Sequence, residues 1–209
     1  MACGTAFAQQ GKLQSGPYKG PMGPMTAPDQ ADIPDAVIFT NLVNDPCNPG
    51  FKYSPANGFL VLGPNNCGIP GATQWLAEPF TAKISQAVTK VMLSVTNWGI
   101  CTPTSFKFTV QIYDDACAGV PNAPLGPAVN ATAPAAPPSL ATANFGTTGP
   151  LLTAGVHYWV VVTTSSAASQ NGTTAVWWQA LTGNEPFNLN DGNGWQQGNL
   201  GGPGGFQVQ

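Results

Sequence analysis

The sequence predicts an all-β fold, an antiparallel β-sandwich of jelly-roll-like architecture, on three observations. Apolar and polar residues alternate with period two in its clearest segments. No window of about 11 residues carries a helical stripe free of Pro or Gly. The chain is also cut into short pieces by 25 Gly and 21 Pro, while six Trp and ten Phe supply enough apolar volume for a core.

The elements follow in order of clarity. Phe106, Phe108, Val110 and Ile112 alternate with Lys107, Thr109 and Gln111, a strand over Ser105–Tyr113 with one buried and one wet face. Lys90–Thr96 repeats the pattern with Val91, Leu93 and Val95, and Asn97–Pro103 between the two predicts a hairpin with a long loop. Ala36–Val43, Gly58–Leu62, Thr73–Ala82, Ala141–Thr147, Val156–Thr164 and Thr174–Ala180 are rich in β-branched and aromatic residues and bounded by turn residues. Phe206–Val208 reads as a short closing strand after the Gly201–Gly205 loop. Residues 118–139 are Pro/Ala-rich, too poor in large apolar side chains for a core element, and are expected to be loop. The expectation is eight or nine strands with long Pro/Gly-rich loops, filling residues 36–209.

Ahead of this domain, residues 9–35 predict an extended arm, since Gly20-Pro21-Met22-Gly23-Pro24 favours open chain over packed structure. Residues 1–8 end in Ala6-Phe7-Ala8 before Gln9, the small-x-small pattern of a signal-peptidase site, and read as a signal-peptide remnant.

Charge excludes several functions. Only 7% of residues are charged, the six cations are all Lys, and the sequence pI is about 4.7. Phosphate binding needs clustered cations, so nucleic acid is not an expected partner. No apolar run reaches the ~18 residues of a membrane span, so no membrane insertion is expected. Catalysis has little to work with. His157 is the single His and lies inside a strand pattern, which predicts a structural imidazole and leaves no base for a Ser-His-Asp triad. Glu78, Glu185, Asp114, Asp115 and Asp191 are the carboxylates considered for glycoside hydrolysis, and nothing in their spacing pairs them. The chain is expected not to be an enzyme and to need no cofactor.

Two candidate sites remain. Asn190, Asp191 and Asn193 could offer oxygens to Ca²⁺, although an Asn/Asp/Gly run is also ordinary turn sequence. Trp98, Tyr158, Trp177 and Trp178 could stack on a glycan if exposed, or cover sheet faces if not. Adjacent Trp177 and Trp178 point to opposite faces, so if one is core the other faces out or lies under a loop. Beyond the leader stand Cys47, Cys67, Cys101 and Cys117, an even number with no zinc spacing, which predicts two disulfides in an oxidising compartment. A strand over 105–113 is ~27 Å long at ~3.3 Å per residue, whereas bonded cysteines need Cα atoms within ~7 Å. If consecutive strands alternate in direction, Cys47 meets Cys117 and Cys67 meets Cys101. The local pairing, Cys47–Cys67 with Cys101–Cys117, stays open.

The order of segments also resembles a known group. Val37-Ile38-Phe39-Thr40-Asn41-Leu42 comes first and Glu78-Pro79-Phe80-Thr81 second. Then come Ile112-Tyr113-Asp114-Asp115 with Gly119-Val120-Pro121, Leu152-Thr153-Ala154-Gly155-Val156-His157-Tyr158-Trp159, and the Trp177-Trp178 strand. Over roughly residues 36–209 this resembles the choice-of-anchor family of bacterial exported domains. The resemblance implies a β-sandwich secreted to the cell surface or beyond, usually held by a C-terminal sorting segment, which Phe206–Gln209 does not form. It implies no catalytic residues. The function expected is therefore non-catalytic, in a cell-surface, extracellular-matrix or adhesive role, with surface or matrix components as partners. Two alternatives stand beside it: a carbohydrate-binding module using exposed Trp and Tyr, and a structural subunit that binds itself by strand donation from the 9–35 arm.

Overall fold

The computed structural model describes residues 36–45, 50–98, 106–115, 119–182, 187–198 and 202–209. Residues 1–35, on which the expected signal-peptide remnant and extended arm fall, and Cys47, Cys101 and Cys117 lie outside the described residues, and with them both expected disulfide pairings.

The fold is all-β, as the alternation requires. Fifteen strands occur among the described residues, against the eight or nine expected. They are β1 (Phe39–Thr40), β2 (Gly58–Leu62), β3 (Trp75–Thr81), β4 (Gln86–Ala87), β5 (Lys90–Leu93), β6 (Val95–Asn97), β7 (Lys107–Asp114) and β8 (Val129–Thr132), then β9 (Ala141–Asn144), β10 (Leu151–Leu152), β11 (His157–Thr163), β12 (Thr174–Trp178), β13 (Phe187–Asn190), β14 (Trp195–Gly198) and β15 (Phe206–Val208).

All pairings are antiparallel. One layer is a six-stranded sheet, β14-β13-β3-β11-β7-β8. The other layer is built from two smaller sheets, β1-β15-β5-β9 and β2-β12-β6. Both layers contribute to one core: Leu76, Phe80, Phe108, Val110, Ile112, Val160 and Val162 from the first meet Phe59, Val61, Val91, Leu93, Trp177 and Phe206 from the second. Phe206 lies at its centre, its ring 5.0 Å from Phe39, 5.9 Å from Phe80 and 6.1 Å from Trp177.

Ser94 explains why the second layer splits. It separates β5 from β6, and its backbone N–H donates to Gly205 O at 2.9 Å while its carbonyl accepts from Trp178 N at 2.9 Å. Its hydroxyl lies 2.7 Å from Trp178 O and 2.9 Å from Gly205 O. Here one continuous run of chain changes partner, from β15 to β12. Lys90–Thr96 is therefore two strands, and the expected hairpin with 105–113 does not form. β5 pairs with β15 and β9, β6 with β12, and β7 with β11 and β8.

The loop expected over 118–139 contains β8. Val129 packs partly buried against the main core, and the fully buried residues here are alanines: Ala131 and, just beyond β8, Ala133, which lie in that core with Ala141 and Ala143 of β9. Small side chains suit that position, because β8 and β9 are edge strands of opposite layers lying against each other. β13 and β14 form a hairpin whose turn is the Asn/Asp/Gly run, so that segment brings two strands not expected from the sequence.

Candidate functional site

The outer face of the six-stranded sheet carries the chemistry that the core does not use. Inward positions of β3, β7 and β11 are apolar apart from Asp114 at the end of β7 and Glu78, which is fully buried and accepts the Gly204 N–H at 2.7 Å. Outward positions alternate with them. Register places Tyr113 and Pro79 beside Trp159 in one row. The next row holds Gln111, Val161, Ala77 and Asn188, and the one after it places Trp75, Asn190 and Trp195 together. Trp159, Val161 and Ala77 form a small apolar cluster against which Tyr113 and Trp195 pack, each partly exposed. Burial pushes the Tyr113 phenol above its usual pKa. Lys107 and His157 stand at opposite ends of this face, on the first residues of β7 and β11. The rows between them carry aromatic, amide, hydroxyl and aliphatic side chains.

A strap crosses the face. Gly119 O accepts from Asn188 Nδ2 on β13 at 2.6 Å, and three residues later Asn122 N donates to Asp114 O on β7 at 3.1 Å. Between these anchors run Val120, 41% exposed, and Pro121, which is buried. Gly119 sits at φ +133°, a left-handed conformation that glycine adopts without the penalty of a side chain. Asp114 and Asp115 hold the strap: Asp114 Oδ1 accepts from Ala123 N at 2.7 Å and Asn122 Nδ2 at 3.0 Å, and Asp115 Oδ1 from Gly119 N at 3.2 Å.

Two polar atoms at the Trp159 cluster have no partner. Trp159 is 2% exposed and Asn188 is 0% exposed, yet the indole Nε1 and the amide Oδ1 make no hydrogen bond. Leaving a buried donor or acceptor unmade costs about 1–3 kcal/mol, and such exceptions call for a specific explanation. Their Cα atoms stand roughly 12 Å apart, two strands and two residues away from each other.

The residues singled out in the sequence fall elsewhere. Trp177 is in the main core with Nε1 donating to Gly205 O at 3.0 Å, and Tyr158 is 6% exposed with its hydroxyl accepting from Thr153 N at 2.9 Å. Trp178 lies on the outer face of β2-β12-β6 but is sealed by Leu42, Tyr53, Leu60, Leu62 and Val176, and donates to Thr96 Oγ1 at 2.8 Å. Trp98 is partly buried beside the same cluster, so close to Gly68 that a Cβ there would sit 2.7 Å from its ring. Trp98 Nε1 is likewise buried without a partner. Trp177, Trp178 and Tyr158 are therefore closed to a ligand, and Trp98 alone of the four is partly exposed. Asn190, Asp191 and Asn193 are brought together at the β13–β14 turn, where their oxygens serve the chain itself. Asn190 Oδ1 accepts from Gly192 N at 2.9 Å, and Asp191 Oδ1 from Asn193 N at 3.2 Å. Glu185 lies outside the described residues. His157 is exposed rather than structural, with Nδ1 3.1 Å from Thr81 Oγ1.

The sequence reading missed Trp159, Tyr113, Trp195 and Asn188 as a group. Their common signal is alternation: each occupies an outward position of its strand, but only the strand order β14-β13-β3-β11-β7 brings them together. No family model matches the chain and no curated protein matches it.

Proposed function

We propose that the chain is a non-catalytic, exported binding protein with a cell-surface, extracellular-matrix or adhesive role, akin to the choice-of-anchor domains its motif order resembles. The observation that carries this reading is the outer sheet face: side chains from five strands converge on it, rich in aromatic rings and amides, and two buried polar atoms in it have no partner. Such a surface recognises rather than reacts, since an acid–base pair needs ionisable groups at its centre. Export is supported by Cys67, which is exposed and disulfide-bonded, a state that persists in oxidising compartments.

The crossed pairing also gains support. Gly68, next to Cys67, packs on Trp98, three residues before Cys101. Cys67 Sγ lies 3.7 Å from Thr174 Oγ1, while Trp98 N donates to Thr174 O at 3.2 Å. Both thus stand at the same end of β12, and Cys67–Cys101 is the bond this arrangement favours.

The test is protease shaving of intact cells of the source organism. Release or cleavage of the protein without lysis is the expected result, and a chain found only after lysis would overturn the reading. Non-reducing peptide mapping checks the bond. A Cys101–Cys117 peptide would exclude the crossed pairing.

A further inference from the structure

We propose that the outer face of the six-stranded sheet, beside the Gly119–Asn122 strap, is a binding site for a neutral polyhydroxylated ligand, a glycan chain. This rests on the reading of the chain as a binding protein and gives that reading its ligand class.

Three observations select the ligand. The unpaired atoms are one donor, Trp159 Nε1, and one acceptor, Asn188 Oδ1. A sugar hydroxyl is both donor and acceptor and can satisfy either atom. The two partly exposed groups packed against the Trp159 cluster, Tyr113 and Trp195, are aromatic. Their rings offer flat apolar area with little conformational freedom to lose, the property that favours aromatic side chains at binding surfaces. Finally, the rows between Lys107 and His157 hold no carboxylate, ammonium or guanidinium. An anionic chain would find no counter-charge at the centre of this face, so the ligand is neutral.

A proline-rich peptide is the other occupant that stacks flat apolar surface on aromatic side chains. It is disfavoured by Asn188, whose free oxygen needs a donor, because proline has no N–H to give. Both unpaired atoms lie below the surface. The ligand therefore meets Trp195 and Tyr113 first and reaches Trp159 as the strap, hinged at the left-handed Gly119, yields.

The experiment is calorimetric titration of the full chain with neutral oligosaccharides of glucose, xylose, mannose and N-acetylglucosamine, with indole fluorescence as a second readout. At least one series is expected to bind with Kd of about 1 mM or tighter. Trp195→Ala should then weaken it at least ~10-fold and Trp159→Phe about 5-fold, the latter through the lost N–H, while Trp98→Ala leaves it unchanged. Thermal melts of each variant confirm folding. Tyr113→Ala, at a partly exposed position, replaces any variant that fails to fold. The proposal is overturned if none of the neutral sugars binds, if the variants on this face bind like wild type, or if a polyanionic glycan or a proline-rich peptide binds there instead. Protease shaving reads the cell-surface role independently, so a surface protein that ignores all these sugars loses the ligand assignment and keeps the function.

Discussion

Trp178 and Trp159 hold equivalent places on two different sheets, each on an outer face, each at or below 2% exposure. Their surroundings differ in one respect. The Trp178 indole has its acceptor: it donates to Thr96 Oγ1, and Tyr53 above it donates to Ser139 O at 3.1 Å, while Trp98 at the margin of this cluster leaves its own Nε1 unpaired. Around Trp159 neither its own N–H nor the Asn188 oxygen is satisfied. The first face has been absorbed into the interior, with β2 and β12 buried on both sides. The second is covered without being completed. Burial alone does not tell the two tryptophans apart; what differs is that the Trp178 indole is paired and the Trp159 indole is not.

The comparison can be broken most directly at Trp178. Trp178→Ala should cost about 3–5 kcal/mol, the usual range for truncating a buried aromatic residue. A denaturant titration showing less than about 1 kcal/mol would mean that the loops around it are not a true seal. A finer contrast uses phenylalanine at both positions. Trp178→Phe removes the donor to the buried Thr96 hydroxyl, which keeps only its 3.4 Å contact to Asn97 O, and should lose about 1 kcal/mol or more beyond the change in packing. Trp159→Phe removes a donor that has no acceptor and should lose less by that same margin. Equal losses would erase the distinction between the faces.

Alkaline pH acts on both faces and most strongly on the sealed one, where Tyr53 is fully buried while Tyr113 is only partly so. Burial pushes the Tyr53 phenol well above the ordinary tyrosine value. Once pH passes about 10, the unfolded chain gives up this proton and the folded chain keeps it. Folding then binds more protons than unfolding does, and stability falls as pH rises. The stabilisation is complete below that pH and declines above it. The urea midpoint should drop between pH 9 and pH 11, and Tyr53→Phe should flatten the drop. A wild-type midpoint constant to pH 11 would show that Tyr53 is accessible.

The smallest effect belongs to the β13–β14 turn. Asp191→Ala removes one Asx contact at an exposed position and should cost less than about 0.5 kcal/mol. Ca²⁺ should not raise the melting temperature, and a rise that Asp191→Ala abolishes would restore the ion-site reading.

What the sequence revealed, and what it concealed, follows from how each element is buried. β7 was legible because one of its faces is core and the other is not, so Phe108, Val110 and Ile112 stand out against their neighbours. β8 was not, because its core residues are alanines, which carry little hydrophobic signal and are chosen for close approach. The partner exchange at Ser94 was invisible, since a polar residue between Leu93 and Val95 looks like ordinary alternation. Trp177 and Trp178 were read correctly as pointing to opposite faces, whereas which of them is core, and whether the other is exposed or covered, stayed open. Which aromatics share a face was beyond reach, because Trp159, Tyr113 and Trp195 are neighbours only through strand order, a property of tertiary pairing and not of spacing.

The place of β15 has a consequence for how the chain is made. Residues 206–208 pair on one side with Phe39–Thr40 and on the other with Val91–Leu93, so a late segment forms an interior strand. A ribosome or a secretion channel delivers the chain from its N-terminus, so β1 and β5 must wait without their common neighbour until residues 206–208 have emerged. The second layer cannot close before then. If the chain is exported as proposed, the strand order is itself a timing device, keeping that layer unclosed while the earlier segments pass.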